Sequence, residues 1–362
     1  GHRYEAFIEP SYSQKNNVND LQQNERLFNT QITIKVLAHL VGKGRNDDRP
    51  KISVRENIVE IKFPKEHIIL SENQFIYPPQ PKKWIQTQKL VASDPDGSPE
   101  GDQFSYSSVA FSPTGETLVV GARSDEENDG TYAGAAYIFQ KGAAGYQQVQ
   151  KLTASFGTDG LPEVSPEEDR FGASVTFSLE AEKLVIGAYG DEEAGGPFAG
   201  AVYIFASGSG GYQQVQKLTA SFGTDGLPEV SPQSDFFSGK ISISSNGEIL
   251  AVSANQDEEN GGTYAGAVYI FASGSGGYQQ VQKLTASFGT DGLPEASPAR
   301  DFFGTSTALS STGEILAVGA EYDEEGGIDS GTYTGAGAVY IFQSGSSGYQ
   351  QVQKLTASFG TD

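Results

Sequence analysis

One segment returns along this chain. Tyr-Gln-Gln-Val-Gln-Lys-Leu-Thr-Ala-Ser-Phe-Gly-Thr-Asp-Gly-Leu-Pro-Glu begins at Tyr146, Tyr212 and Tyr278, and its first fourteen residues begin again at Tyr349. A diverged copy, Trp-Ile-Gln-Thr-Gln-Lys-Leu, starts at Trp84. The leucine of Gln-Lys-Leu falls at Leu90, Leu152, Leu218, Leu284 and Leu355, with spacings of 62, 66, 66 and 71 residues. A period of this size marks a repeat architecture, in which each unit buries its apolar face only against its neighbours. There are four full repeats and the opening of a fifth. Copies this alike point to recent duplication, and away from four separately tuned active sites.

Each repeat holds four strand candidates. The first follows an aromatic, as in Phe171-Gly172 or Phe303-Gly304. The second is short and apolar: Leu118–Ala122, Leu184–Ala188, Ile315–Ala320. The third is Ala-Val-Tyr-Ile-Phe, ending at Phe205, Phe271 and Phe342, with Ala-Ala-Tyr-Ile-Phe ending at Phe139. The fourth is Tyr-Gln-Gln-Val-Gln-Lys-Leu. The first and fourth alternate apolar with polar, as half-exposed strands do. The second and third are nearly continuous apolar runs, as strands covered on both faces are. Turn residues separate them, and no helix-period segment occurs. Four strands per repeat, with inner strands buried, is the pattern of a β-propeller blade.

The repeats share one sign of charge. Residues 1–82 hold 12 Lys+Arg and 10 Asp+Glu, a net of +2; the remaining 12 and 36 give residues 83–362 a net of −24. Pro78-Pro79-Gln80-Pro81 lies at the change, and such a stretch favours an extended connector. Two domains are therefore expected, a small β-rich anchoring domain over 1–82 and the repeats over 83–362. The acidic balance argues against nucleic-acid binding. Without cysteine there is no disulfide or thiolate chemistry, and no apolar run reaches the ~20 residues of a membrane-spanning helix. Methionine is absent even at position 1, so a processed chain, or part of a longer one, is expected. Either four blades close by themselves or the parent chain continues.

Phe-Gly before a strand, then Val-Gly-Ala, an acidic glycine-rich loop and Gly-Ala-Val-Tyr-Ile-Phe resembles the FG-GAP repeat. That repeat builds the integrin α-subunit propeller and many bacterial propellers, and the likeness covers about residues 84–362. It implies an all-β, FG-GAP-type propeller. Three places depart from the pattern: Phe104-Ser105, Phe237-Ser238 and Ser253-Ala254. The integrin type also carries a calcium loop between its first two strands. The equivalent turns here, 112–116, 179–183, 245–248 and 311–314, are too short and too poor in oxygen ligands to cage calcium. That metal site is not carried over, and no cofactor is expected.

Between the second and third strands, each repeat places an acidic triplet: Asp125-Glu126-Glu127, Asp191-Glu192-Glu193, Asp257-Glu258-Glu259 and Asp323-Glu324-Glu325. An aromatic follows in each loop: Tyr132, Phe198, Tyr264 and Tyr333. Equivalent loops of a propeller emerge on one side, together with the loops joining blade to blade. A rim of carboxylates with interleaved aromatics is expected, either as a solvated surface or as a face for a ligand or partner. Loose divalent-cation binding by the triplets is a third reading. The repeats contain no His or Cys, which excludes a His-based triad or a His/Cys zinc site within them. Replicated carboxylates also lack the single asymmetric pair that glycoside hydrolysis needs. No enzymatic activity is expected.

In the first domain, Ile32, Ile34, Val36, Ala38 and Leu40 alternate onto one face, and strands are expected over 30–42, 51–57 and 58–63. Lys43, Arg45, Arg49, Lys51 and Arg55 form a basic cluster that marks either a solvated hairpin tip or a docking surface. The run Val-Leu-Ala-His-Leu-Val-Gly-Lys-Gly, with Arg-Pro-Lys-Ile-Ser-Val-Arg-Glu-Asn after it, resembles a segment of neck or head–tail connector proteins of contractile-tailed phages. The resemblance implies that this domain docks to other virion proteins, within a larger or homo-oligomeric assembly, and that the propeller is displayed on the virion surface. The alternative is a secreted or cell-surface bacterial adhesin.

Overall fold

The computed structural model describes residues 6–10, 32–36, 51–55, 58–62, 67–70, 85–93, 101–126, 131–157, 160–161, 167–180, 183–192, 196–227, 233–258, 263–289, 292, 299–324 and 335–357; before residue 85 the backbone alone is described. The chain divides into two compact units, 1–87 and 88–362. In the first, β1 (Ala6–Pro10) runs antiparallel to β2 (Ile32–Val36). Strands β3 (Lys51–Arg55), β4 (Ile58–Lys62) and β5 (His67–Leu70) form a three-stranded antiparallel sheet in chain order.

The second unit holds four sheets, each of four antiparallel strands in chain order. The first is β6 (Phe104–Phe111), β7 (Thr117–Ala122), β8 (Ala135–Gly142) and β9 (Gly145–Leu152). The second is β10 (Ser174–Phe177), β11 (Lys183–Ala188), β12 (Ala201–Gly208) and β13 (Gly211–Leu218). The third is β14 (Phe237–Ile243), β15 (Ile249–Ala254), β16 (Ala267–Gly274) and β17 (Gly277–Leu284). The fourth is β18 (Phe303–Leu309), β19 (Ile315–Ala320), β20 (Ala338–Gly345) and β21 (Gly348–Thr356). Each sheet is one repeat and forms one blade. The chain reverses between third and fourth strands through two-residue loops, closed by pairs such as Gly208 opposite Gly211. The second glycine of each pair has φ between 89° and 97°, a range only glycine enters without strain.

Within a blade, the phenylalanine after the inter-blade loop packs edge-on against the tyrosine and phenylalanine of the third strand. Phe237 lies 5.3 Å from Tyr269 and 6.0 Å from Phe271, ring centre to ring centre. Phe171 and Phe303 repeat the arrangement. The residue after it must turn left-handed: Gly172 has φ 87° and Gly304 100°, and the two serines that stand there instead, Ser105 and Ser238, take 62° and 79°.

Between blades, Val185, Val202, Ile204 and Leu218 of the second are buried with Leu250, Val252, Tyr269 and Phe271 of the third. Corresponding residues make the first-to-second and third-to-fourth junctions. Burial of each such side chain contributes about 1.5–3 kcal/mol, so the core lies between sheets. Polar groups complete each junction. Gln216 of β13 accepts from the Tyr278 N–H at 2.8 Å and donates to the Tyr278 carbonyl at 2.8 Å. Gln150 does the same to Tyr212, and Gln282 to Tyr349.

Candidate functional site

The first carboxylate of each acidic triplet is an internal group. Asp125, Asp191, Asp257 and Asp323 are each 1% exposed. The Tyr203 hydroxyl donates to Asp191 Oδ2 at 2.6 Å, and Lys217 Nζ lies 2.8 Å from the same oxygen. In the third blade Tyr269 and Lys283 hold Asp257 at 2.7 and 2.8 Å. In the first, Tyr137 and Lys151 hold Asp125 at 2.5 and 3.0 Å. Tyr340 and Lys354 hold Asp323, the lysine at 2.9 Å. The tyrosine comes from the third strand and the lysine from Gln-Lys-Leu of the fourth. Tyr203 and Lys217 are direct cross-strand partners, so both reach the loop that carries the aspartate. This corrects the expected rim: four of its carboxylates are buried, because each repeat also supplies a cation and a hydroxyl to receive one.

The next residue fits the expectation better. Glu126, Glu192 and Glu258 are exposed and Glu324 is half-buried. Glu127, Glu193, Glu259, Glu325 and Tyr333 lie outside the described residues. Tyr132, Phe198 and Tyr264 have φ of 60°, 60° and 61°, which bulky residues rarely adopt. They hold it because their carbonyls accept N–H groups from the next inter-blade loop: Arg170 to Tyr132 at 3.1 Å, Phe236 to Phe198 at 3.0 Å and Phe302 to Tyr264 at 3.1 Å. Arg170, Phe236 and Phe302 are themselves left-handed, at 59°, 55° and 53°.

The side chains of these pairs meet as well. Phe198 and Phe236 stack at 5.3 Å with planes 5° apart, Tyr264 and Phe302 stack at 5.4 Å, and the Arg170 guanidinium lies 4.1 Å over the Tyr132 ring. Tyr189 stacks on Phe236, again at 5.3 Å. The two loop sets therefore do share a side, and they are joined by paired platforms of aromatic rings and one guanidinium. Sequence reasoning did not single out Arg170, Phe236 or Phe302. The available signal was their common place, one residue before the blade's first phenylalanine.

A second aspartate set is internal as well. Asp102, Asp169, Asp235 and Asp301, two residues before that phenylalanine, are all buried. Their carbonyls accept N–H groups from Ser124, Gly190, Gln256 and Tyr322 at 3.0–3.4 Å, tying the loop that enters a blade to the loop that carries its acidic triplet. Among the described residues, no three His, Cys, Asp or Glu side chains converge as a metal site. Of the basic cluster, Lys51 and Arg55 bound β3, opposite Lys62 and Ile58 of β4. Lys43, Arg45 and Arg49 lie outside the described residues. No helix among the described residues is long and apolar enough to cross a membrane.

The chain is similar to several solved structures at low identity. One is a periplasmic gluconolactonase from Pseudomonas aeruginosa (14% identity, 84% of this chain and 65% of that one, TM-score 0.41). Another is a protein of unknown function from Desulfotomaculum acetoxidans (10%, 83% and 64%, 0.40). A third is the Cps50 (Swd1) β-propeller domain of Myceliophteria thermophila (9%, 85% and 89%, 0.34). The chain thus spans just under two thirds of the length of the first two. No curated protein matches it. The FG-GAP repeat model matches residues 84–139 and 146–205, the first two blades. The same sequence elements and sheet order return in the third and fourth, so the pattern matched in the first two continues through four antiparallel sheets laid out as β-propeller blades.

Proposed function

We propose that the repeat region is a non-enzymatic contact module, displayed on a larger particle to which residues 1–82 attach it. The observation that carries this reading is the division of labour in the acidic triplets. The aspartate of each is buried and held by a tyrosine hydroxyl and a lysine, which takes it off the exposed surface. The following glutamate is exposed in the first three blades, on the loop that also supplies one member of an aromatic platform. Such a surface suits a cationic partner that also offers flat or apolar groups, and its charge steers association. The particle we favour is a phage virion, a choice that rests on the sequence resemblance of residues 30–70 to connector proteins alone.

Co-sedimentation of the native protein with purified capsids or tails is the expected result; retention on the bacterial envelope instead would contradict it. Replacing Glu126, Glu192 and Glu258 together with glutamine should weaken partner capture at low salt and flatten its ionic-strength dependence. Unchanged capture would remove the rim from the proposal.

A further inference from the structure

Three of the blades hold a lysine amine against an aspartate carboxyl with both side chains away from water. Lys217 Nζ lies 2.8 Å from Asp191 Oδ2, Lys283 Nζ 2.8 Å from Asp257 Oδ2 and Lys354 Nζ 2.9 Å from Asp323 Oδ1. In each pair the lysine side chain is 0% exposed and the aspartate side chain 1%. The two partners come from different strands. The aspartate follows the second strand of its blade, the lysine stands in the fourth, and the tyrosine comes from the third between them. Tyrosine and lysine are direct ladder partners in each of these blades, Tyr203 with Lys217, Tyr269 with Lys283 and Tyr340 with Lys354, so their side chains leave the sheet on one face.

The tyrosine completes a reactive set. Its hydroxyl donates to the aspartate at 2.6 Å in the second blade and 2.7 Å in the third, and Tyr340 donates to Asp323 in the fourth. Amide formation needs what is assembled here. The nucleophile is held against its electrophile, the carboxyl carries a proton donor, and bulk water is excluded from the pair. The first blade departs from the others at one point. Lys151 reaches Asp125 at 3.0 Å, but its side chain is 18% exposed.

We propose that the buried pairs of the second, third and fourth blades mature into isopeptide crosslinks, Asp191 to Lys217, Asp257 to Lys283 and Asp323 to Lys354, with the ion pair as the starting state. A proton passes from the ammonium to the carboxylate, which leaves a neutral amine and a carboxylic acid; a dry surround favours this because it removes two charges. The Nζ lone pair then attacks Cγ, and the electron pair of the C=O bond moves onto its oxygen. In the tetrahedral intermediate the nitrogen gives up a proton, the carbonyl re-forms and the bond from Cγ to the hydroxyl breaks. The hydroxyl leaves with that proton as one water, relayed by the tyrosine hydroxyl, which ends as it began. No oxidant, metal or co-reactant is consumed. Each crosslink runs from the loop after the second strand to the fourth strand, so it ties the outermost strand to the blade interior and closes a loop in the unfolded chain. In the first blade the partly exposed Lys151 keeps its charge, and that pair stays ionic. The inference concerns the inside of the blades and does not depend on what the rim contacts.

The test is the intact mass of the full chain under denaturing conditions, followed by peptide mapping. The expected mass lies three waters below the 38.4 kDa of the sequence. Trypsin does not cut after an acylated lysine, so joined peptides should pair Lys217 with Asp191, Lys283 with Asp257 and Lys354 with Asp323. Lys217→Arg should regain one water and keep the other two crosslinks. Tyr203→Phe should keep the second-blade ion pair but leave its crosslink largely unformed. Circular dichroism checks that both variants fold, and the native chain answers the main question without them. The full sequence mass, or a water loss that maps to aspartate alone with no lysine joined, would overturn the proposal. Joined Asp125 and Lys151 as abundant as the other pairs would overturn the role given to burial, and complete crosslinking in Tyr203→Phe the role given to the hydroxyl.

Discussion

Ser238 combines two costs at one position. Its φ of 79° is left-handed, and its buried hydroxyl has no hydrogen-bond partner among the described residues. The equivalent residues of the second and fourth blades are glycines. Ser238→Gly should therefore stabilise the protein by about 1 kcal/mol, read as a shift of the urea midpoint; an unchanged or lowered midpoint would count against the account. Tyr278 makes a pH-dependent contribution. Burial raises its phenol from 10 to about 12, and its hydroxyl donates to the Gly247 carbonyl at 2.5 Å. The folded state thus holds this proton more tightly than the unfolded state. Stability from this group is complete below the unfolded value of 10 and declines as pH rises towards about 12. Tyr278→Phe should flatten that alkaline decline, followed by circular dichroism against pH.

At the scale of the element, much was legible in the sequence. Apolar runs became the buried second strands, such as β7, and Tyr-Gln-Gln-Val-Gln-Lys-Leu became the half-exposed fourth strands, in which the faces run against residue type: Val215 is exposed and Lys217 buried. Its three glutamines were not distinguishable by composition. Gln213 faces water, Gln214 bonds the loop at Phe156 in the junction behind, and Gln216 clamps Tyr278 ahead. Only the arrangement of neighbouring blades separates these roles. Gln216→Ala should cost about 1–3 kcal/mol through two lost cross-blade hydrogen bonds, and Gln213→Ala less than about 0.5 kcal/mol. Equal costs in denaturant unfolding would contradict the assignment.

At the scale of the whole molecule, the repeat established blades on a common plan, whereas the fate of the acidic loops could not be read from it. A charge run reads as surface unless its counterion is known. Here the counterions lie 26 or 31 residues further along, as with Asp191 to Lys217 or Asp323 to Lys354. The remaining acid still dominates the surface. Added salt should raise the melting temperature by screening self-repulsion, with the buried pairs little affected; a fall with salt would mean that exposed ion pairs dominate instead.

The central claim is that the recurring aspartates pin the blades from inside. A double-mutant cycle of Asp191→Asn and Lys217→Met, measured by urea unfolding, tests it most directly. The account predicts that each single change costs about 3–5 kcal/mol, since it strands a buried charge, and that the double change costs far less than their sum. Two small, additive costs, as solvated charges give, would contradict it.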